Sequence, residues 1–242
     1  MLAGLNSYGN TEIKENFKSR DHTENMLKKN KSAIKIKNGK EKNIKIFGKQ
    51  DLEKFSLNVP GDPSSAAFFT ALTLLKENSL LTIKNVGLNP TRIGFYSLLK
   101  MSGAKIKFTN KKKINNEQIG DIVVKSSKLK PINAGKKYYL NTTDEYPILF
   151  VIAALTEGKS FFSGISDLKN KESDRVKEMQ KILKQMGVFS KFKNDKLLIN
   201  GKKLKRYKDT KINVPNLGDH RICMSAAILG FITGFEVKIK NF

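Results

Sequence analysis

The 242-residue chain has one cysteine, Cys223, so a disulfide scaffold is excluded. It has no apolar run near the roughly 18 residues that a membrane-spanning helix needs, and no membrane partner is expected. Its start, Met-Leu-Ala-Gly-Leu, lacks a basic segment followed by a long apolar stretch. No signal peptide is therefore read, and the expected setting is a reducing cytoplasm. Histidine is scarce too. His22 and His220 are the only two, neither stands in metal-ligand spacing, and there are no paired cysteines, which argues against a zinc site. No glycine-rich phosphate loop of either common pattern occurs. What remains is 39% hydrophobic and 28% charged, too apolar for a disordered chain and long enough for one large or two smaller domains.

Arginine is the most informative shortage. The net charge is +24, yet only five of the 46 basic residues are Arg: Arg20, Arg92, Arg175, Arg206 and Arg221. Lysine rich in company with Asn and Ile fits an AT-rich coding bias. Readers of nucleic acid lean on Arg forks and interleaved aromatics, so no specific nucleic-acid partner is expected. Runs such as Lys111-Lys112-Lys113 read as solvated loops. Because Lys would serve for solubility, a retained Arg marks a position where the planar fork matters. Four of the five sit in short polar clusters: Lys18-Ser19-Arg20-Asp21-His22, Asn89-Pro90-Thr91-Arg92, Lys171-Glu172-Ser173-Asp174-Arg175 and Asp219-His220-Arg221. Arg206, in a Lys-rich stretch, reads as surface.

One unit recurs along the chain. A small-residue apolar helix is followed by a turn and a strand, then a polar loop, an amphipathic helix and further strands. In the clearest copy Asp62-Pro63 opens a helix over 66–76, with a strand at 80–83, a second helix over 92–101 and an alternating strand at 104–108. The next copy has a helix over 148–156 after Asp144-Glu145-Tyr146-Pro147, a strand at 160–162 and a helix running from 175 to Met186, with Gly187 just past its end. An earlier copy keeps only its later parts: a helix tail at 2–5, a strand at 11–13, a helix over 23–29, and a hairpin of 34–36 with 44–46 across Asn38-Gly39. The last copy has Asp219 as cap, a helix over 221–229 and a strand at 236–239. The pattern is a repeated βαβαββ unit in a mixed α/β fold. The first helix of each unit is apolar nearly all round, so helices form the core and sheets lie outside. Cys223 falls in such a helix and reads as core. Both ends look cut, and the sequence is expected to belong to a longer chain.

The polar clusters stand at helix starts, where backbone N–H groups and the dipole favour anions. An Arg in the first turn adds a charged fork. Convergence of these starts at one end of the fold would make a pocket for phosphate or carboxylate. The plainer alternative is capping, since Asp62, Asp144, Asp174 and Asp219 all make good N-caps and Arg could pair with them. Three clusters in register, holding most of the arginine, favour the pocket. Within it Asp144 and Glu172 could divide acid and base roles, and the sequence leaves that division open.

The segments Val59-Pro60-Gly61-Asp62-Pro63-Ser64-Ser65-Ala66-Ala67, Gly87-Leu88-Asn89-Pro90-Thr91-Arg92, Asp144-Glu145-Tyr146-Pro147, the 171–175 cluster and Asp219-His220-Arg221 together resemble the 5-enolpyruvylshikimate-3-phosphate synthase family, in family order and over the whole chain. The resemblance implies an inside-out α/β barrel of repeated βαβαββ units, here incomplete, with residues 1–60 as the last unit of one domain and 61–242 as most of the second. It implies transfer of the enolpyruvyl group of phosphoenolpyruvate to the 5-hydroxyl of shikimate 3-phosphate, through a tetrahedral intermediate that loses phosphate, with no metal or organic cofactor. The full-length protein would be a monomer. By the same resemblance Asp144 is the base at the sugar hydroxyl and Glu172 handles the methylene proton. Ser19 and Lys171 contact shikimate 3-phosphate. Arg175 and Arg221 clamp phosphoenolpyruvate, with His220 beside them as a third catalytic residue.

Two Lys-bearing motifs of the family and its Ser-Ser/Ala-Gln loop find no match in these residues, so the 242-residue chain alone is expected to be inactive. The competing readings are a transferase acting on UDP-N-acetylglucosamine, a non-catalytic basic binding module and a catalytically dead remnant. The Lys-Glu-Ser-Asp-Arg and Asp-His-Arg clusters favour the shikimate enzyme over the first.

Overall fold

The computed structural model describes residues 1–54, 56–203, 211–215 and 218–240; Arg206 lies outside them. The first sixty residues carry α1 (Leu2–Asn6), β1 (Asn10–Glu15), α2 (His22–Leu27), β2 (Ile34–Lys37) and β3 (Lys42–Phe47). The three strands form one antiparallel sheet in the order β1-β3-β2. Alternation of Ile with Lys puts Ile34, Ile44 and Ile46 on one face, where they meet Leu27 in a small core of their own.

The remaining elements are α3 (Pro63–Leu75), β4 (Leu80–Gly87), α4 (Gly94–Met101), β5 (Lys105–Ile114), β6 (Glu117–Lys125), β7 (Asn133–Ala134), α5 (Tyr146–Leu155), β8 (Gly158–Ser163), α6 (Arg175–Gln185), β9 (Phe189–Lys193), β10 (Lys196–Gly201), β11 (Lys211–Val214), α7 (His220–Thr233) and β12 (Glu236–Ile239). β4, β6 and β5 make an antiparallel sheet, in that order. A second sheet runs β7-β8-β10-β9 and a third pairs β11 with β12. The β7–β8 and β11–β12 pairs are parallel and the other ladders antiparallel. The apolar helices α3, α5 and α7 pack against one another inside the sheets. In α5 every residue from Tyr146 to Ala154 is buried, which a helix without a polar face requires. Cys223 is buried in α7. This second, large core includes no described residue of the first sixty.

Three expectations are corrected. Asp144 is not the N-cap of α5: Glu145 holds that position, and the helix begins two residues earlier than the pattern of apolar residues suggests. Pro147 is tolerated in the first turn because an amide there would have no carbonyl partner within the helix. Lys111, Lys112 and Lys113 are solvent-exposed but belong to strand β5, not to a loop. The strand continues because Asn115 and Asn116, both at positive φ, turn it tightly into β6. Finally, α4 starts at Gly94, after a turn in which Asn89 Oδ1 accepts from Thr91 N at 2.9 Å, so Arg92 precedes the helix.

Candidate active site

Asp62, Asp174 and Asp219 do cap their helices. Asp62 accepts from the amides of Ser64 and Ser65, Asp174 from Lys177 and Asp219 from Arg221. The carboxylate that does not cap, Asp144, is where the arginines collect. Arg20 Nη2, from the loop after β1, donates to Asp144 Oδ2 at 2.5 Å, across 124 residues of sequence. Arg221 Nη2, from the first turn of α7, stands 3.6 Å from the same oxygen. Arg175 Nη1, from the first residue of α6, stands 3.8 Å from Asp144 Oδ1. The starts of α5, α6 and α7 therefore converge on one carboxylate.

Arg175 is completely buried. Its Nε donates to Asp219 Oδ2 at 3.0 Å and its Nη2 bonds Glu172. Ser173 Oγ donates to the same Asp219 oxygen at 2.9 Å. Nη1 of Arg175 and Nε of Arg221 are buried with no hydrogen-bond partner among the described residues. A buried guanidinium donor without an acceptor is unfavourable, so two such donors beside one carboxylate suit an anionic guest.

Burial alone would raise the Asp144 carboxyl, but the hydrogen bond from Arg20 and the charges of Arg221, Arg20 and Arg92 outweigh it and hold it below its ordinary range. Burial opposes ionisation of Asp219 as well, and Arg175, Ser173 and the Arg221 amide again prevail. Both are carboxylates at neutral pH.

The other residues singled out in the sequence lie around this knot. Glu172 is half exposed and reaches it through Arg175. Lys171 Nζ pairs with Asp167 Oδ2 at 2.8 Å, and Asp167 accepts from Tyr139 OH at 2.5 Å. Ser19 is spent on Glu15 and stands next to Arg20. His220, the first residue of α7, is exposed beside Arg221. His22 Nδ1 lies 2.9 Å from Glu117 Oε1, and Asn89 Nδ2 donates to both Asp21 and Glu117, tying the Ser19–Arg20 loop to the turn before α4. A cavity of 590 Å³ opens between Phe17–Lys18 and the 136–141 segment. That segment can lie on α4 because a Cβ at Gly94 would come within 2.2 Å of Asn141 and Thr142 side-chain oxygens.

Sequence reasoning missed Arg20 as a member of the site, although it sat in one of the arginine clusters. It also missed Glu145. This carboxyl is 3% exposed and accepts from the Ser64 hydroxyl. Burial, aided by the charge of Asp144, pushes it up to about 7 against the pull of Ser64, Arg92 and Arg221.

The family model described as EPSP synthase (3-phosphoshikimate 1-carboxyvinyltransferase) matches residues 1–242. The chain belongs to the EPSP synthase family. Among curated relatives, the 3-phosphoshikimate 1-carboxyvinyltransferase of Petrotoga mobilis is 42% identical over 243 residues, covering all of this chain and 55% of the relative. That of Zymomonas mobilis is 40% identical over 244 residues, covering all of this chain and 54% of the relative. The solved EPSP synthase of Acinetobacter baumannii superposes with a TM-score of 0.84 at 34% identity, over 99% of this chain and 54% of that one. The enolpyruvyl transferase NikO of Streptomyces tendae, at 13% identity and a TM-score of 0.67, shares the fold. The chain thus has the enolpyruvyl-transferase α/β fold with helices inside and sheets outside, and it spans about half the length of the curated relatives it matches.

Proposed function

We propose that this chain carries a large share of the site at which an enolpyruvyl group passes from phosphoenolpyruvate to the 5-hydroxyl of shikimate 3-phosphate, with release of phosphate. The observation that carries the reading is the gathering of Arg20, Arg175 and Arg221 on Asp144. Both substrates are phosphorylated, and guanidinium forks with unused donors recognise phosphate and carboxylate. Asp144, ionised at neutral pH, accepts the proton of the sugar hydroxyl as that oxygen adds to phosphoenolpyruvate. Glu172 handles the methylene proton, and Arg175 joins the two carboxylates so that their charges are felt together. Ser19 and Lys171 hold shikimate 3-phosphate, Arg175 and Arg221 hold phosphoenolpyruvate, and His220 assists beside them.

The same reading divides the chain into residues 1–60, the last unit of one domain, and 61–242, most of the second. The two separate cores support that division. It also takes a cytoplasmic setting and a monomer at full length. Among the described residues no helix is long and apolar enough to cross a membrane.

Calorimetric titration tests the reading. Shikimate 3-phosphate is expected to bind the 242-residue chain, and Lys171→Ala to weaken it about tenfold or more, the loss of one charge-assisted contact. Binding of UDP-N-acetylglucosamine in preference to shikimate 3-phosphate would overturn the choice of substrate. Substrate binding without turnover is the proposal for these residues alone, because two Lys-bearing motifs of the family have no counterpart within them. Phosphate release by the purified 242-residue chain would overturn that part.

A further inference from the structure

Glu145 occupies the N-cap position of α5 and yet does not cap it, since no amide of its own helix reaches its side chain. A carboxylate there normally accepts from the second or third amide of the helix. This one is turned onto the neighbouring helix, where it accepts from Ser64 Oγ. The polarity of that bond is fixed from the far side. Arg92 Nη2 donates to Ser64 Oγ at 2.8 Å, so the hydroxyl's own proton points to Glu145. Arg92 Nη2 also donates to Asp62 Oδ1 at 2.8 Å, and Asp62 caps α3. Tyr96 OH, from α4, donates to the carbonyl of Pro63 at 2.7 Å. The starts of α3 and α5, with α4 and the turn before it, are thus stitched together through Glu145, Ser64 and Tyr96, all buried.

Asp144 is the residue immediately before this anchor. It lies outside α5 and makes no cap of its own, so its direction depends on where Glu145 is fixed and on the arginines it meets. We propose that Glu145 is the positioning residue for Asp144: docked on Ser64, it holds the start of α5 so that Asp144 faces Arg20, Arg175 and Arg221. The proposal rests on the reading of Asp144 as an acid–base residue and adds a residue to it. Among the described residues, the groups whose charge or polarity faces Glu145 are Ser64, Asp144, Arg92, Arg221, Tyr96, Tyr146 and, through Arg92, Asp62. The anchor does not depend on the charge of Glu145, because a carboxyl accepts from a hydroxyl in either protonation state.

The shortage of arginine supplies the test. With five arginines, nitrogen-15 spectra of the guanidinium groups contain few signals, and hydrogen exchange at the Arg20 guanidinium reports its contact with Asp144. Glu145→Ala and Ser64→Ala are each expected to speed that exchange about tenfold or more, as expected when a charge-assisted hydrogen bond is lost. Glu145→Gln keeps an acceptor oxygen in the same place and is expected to leave Arg20 as in the wild type. Amide exchange within α5 is expected to stay unchanged in Ser64→Ala, which separates positioning from a general loosening of the helix. Unaltered Arg20 exchange in folded Glu145→Ala overturns the proposal. If that variant does not fold, the same result in Ser64→Ala overturns it. No substrate or turnover is needed, so failure here leaves the proposed function standing, and loss of shikimate 3-phosphate binding would leave this contact standing.

Discussion

Arg175→Ala is expected to destabilise the chain by about 3–5 kcal/mol, the range found when one partner of a buried ion pair is deleted. The guanidinium is wholly buried and serves Asp219, Glu172 and Asp144 at once. Among the described residues, deleting it leaves Asp219, itself 1% exposed, with the Ser173 hydroxyl and the Arg221 amide as donors. Among the described residues it also leaves Asp144 with Arg20 and Arg221 as its ion-pair partners, and with the more distant charge of Arg92. Arg175→Lys keeps the charge but not the planar fork that spans the carboxylates, so it recovers only part of the loss. Urea denaturation midpoints at fixed pH measure both. A loss under about 1 kcal/mol for the alanine variant would mean that the pair behaves as a solvated surface bridge, contrary to this account.

Glu145→Gln is expected to change the pH dependence of stability. The carboxyl has an ordinary value of 4.5 and is pushed up to about 7 in the folded chain. Between those values the unfolded chain has given up the proton and the folded chain keeps it, so the folded state binds more protons and stability falls as pH rises. The contribution is fully present below 4.5 and is lost as pH passes through 7, amounting to about 3 kcal/mol across the window. The glutamine variant lacks this slope. Relative to wild type it is expected to gain stability steadily toward about pH 8. Asp144 and Asp219, held below the ordinary carboxylate range, act in the opposite sense. Their stabilisation is present above that range and fades as pH falls below it, so their slope lies on the acid side of the window. Parallel pH profiles for wild type and Glu145→Gln between about pH 5 and pH 8 would contradict the burial argument.

Much of the fold was legible because the determinants are local. Alternating Ile and Lys in β2 and β3, the Asp62-Pro63 start of α3, and the all-apolar faces of α3, α5 and α7 are patterns that one segment carries by itself. Misreadings arose where a neighbour decides. Asp144 and Glu145 stand side by side before an apolar helix, and either could cap it. Tertiary partners break the tie, with arginines drawing Asp144 outward and Ser64 drawing Glu145 inward. Lys111 to Lys113 looked like a loop because a strand with a wet face and a register shift at Thr109/Lys112 loses its period of two.

For the site, the scarcity of arginine against abundant lysine pointed to the clusters, and Arg175 and Arg221 do meet at Asp144. Arg20 was within the same signal and was passed over, since its partner lies 124 residues away and no spacing rule connects them. Glu145 offered no signal of its own. An acidic pair before an apolar helix is ordinary in sequence, and only the packing of α5 on α3 shows that Glu145 is anchored to a serine.

The most direct test of the account is a resonance map of the 242-residue chain titrated with shikimate 3-phosphate. Shifts are expected to centre on Ser19, Arg20, Asp144, Lys171 and Arg175 and to be abolished in Asp144→Asn together with Lys171→Ala. Shifts confined to lysines scattered over the outer strands, equally produced by inorganic phosphate, would contradict it.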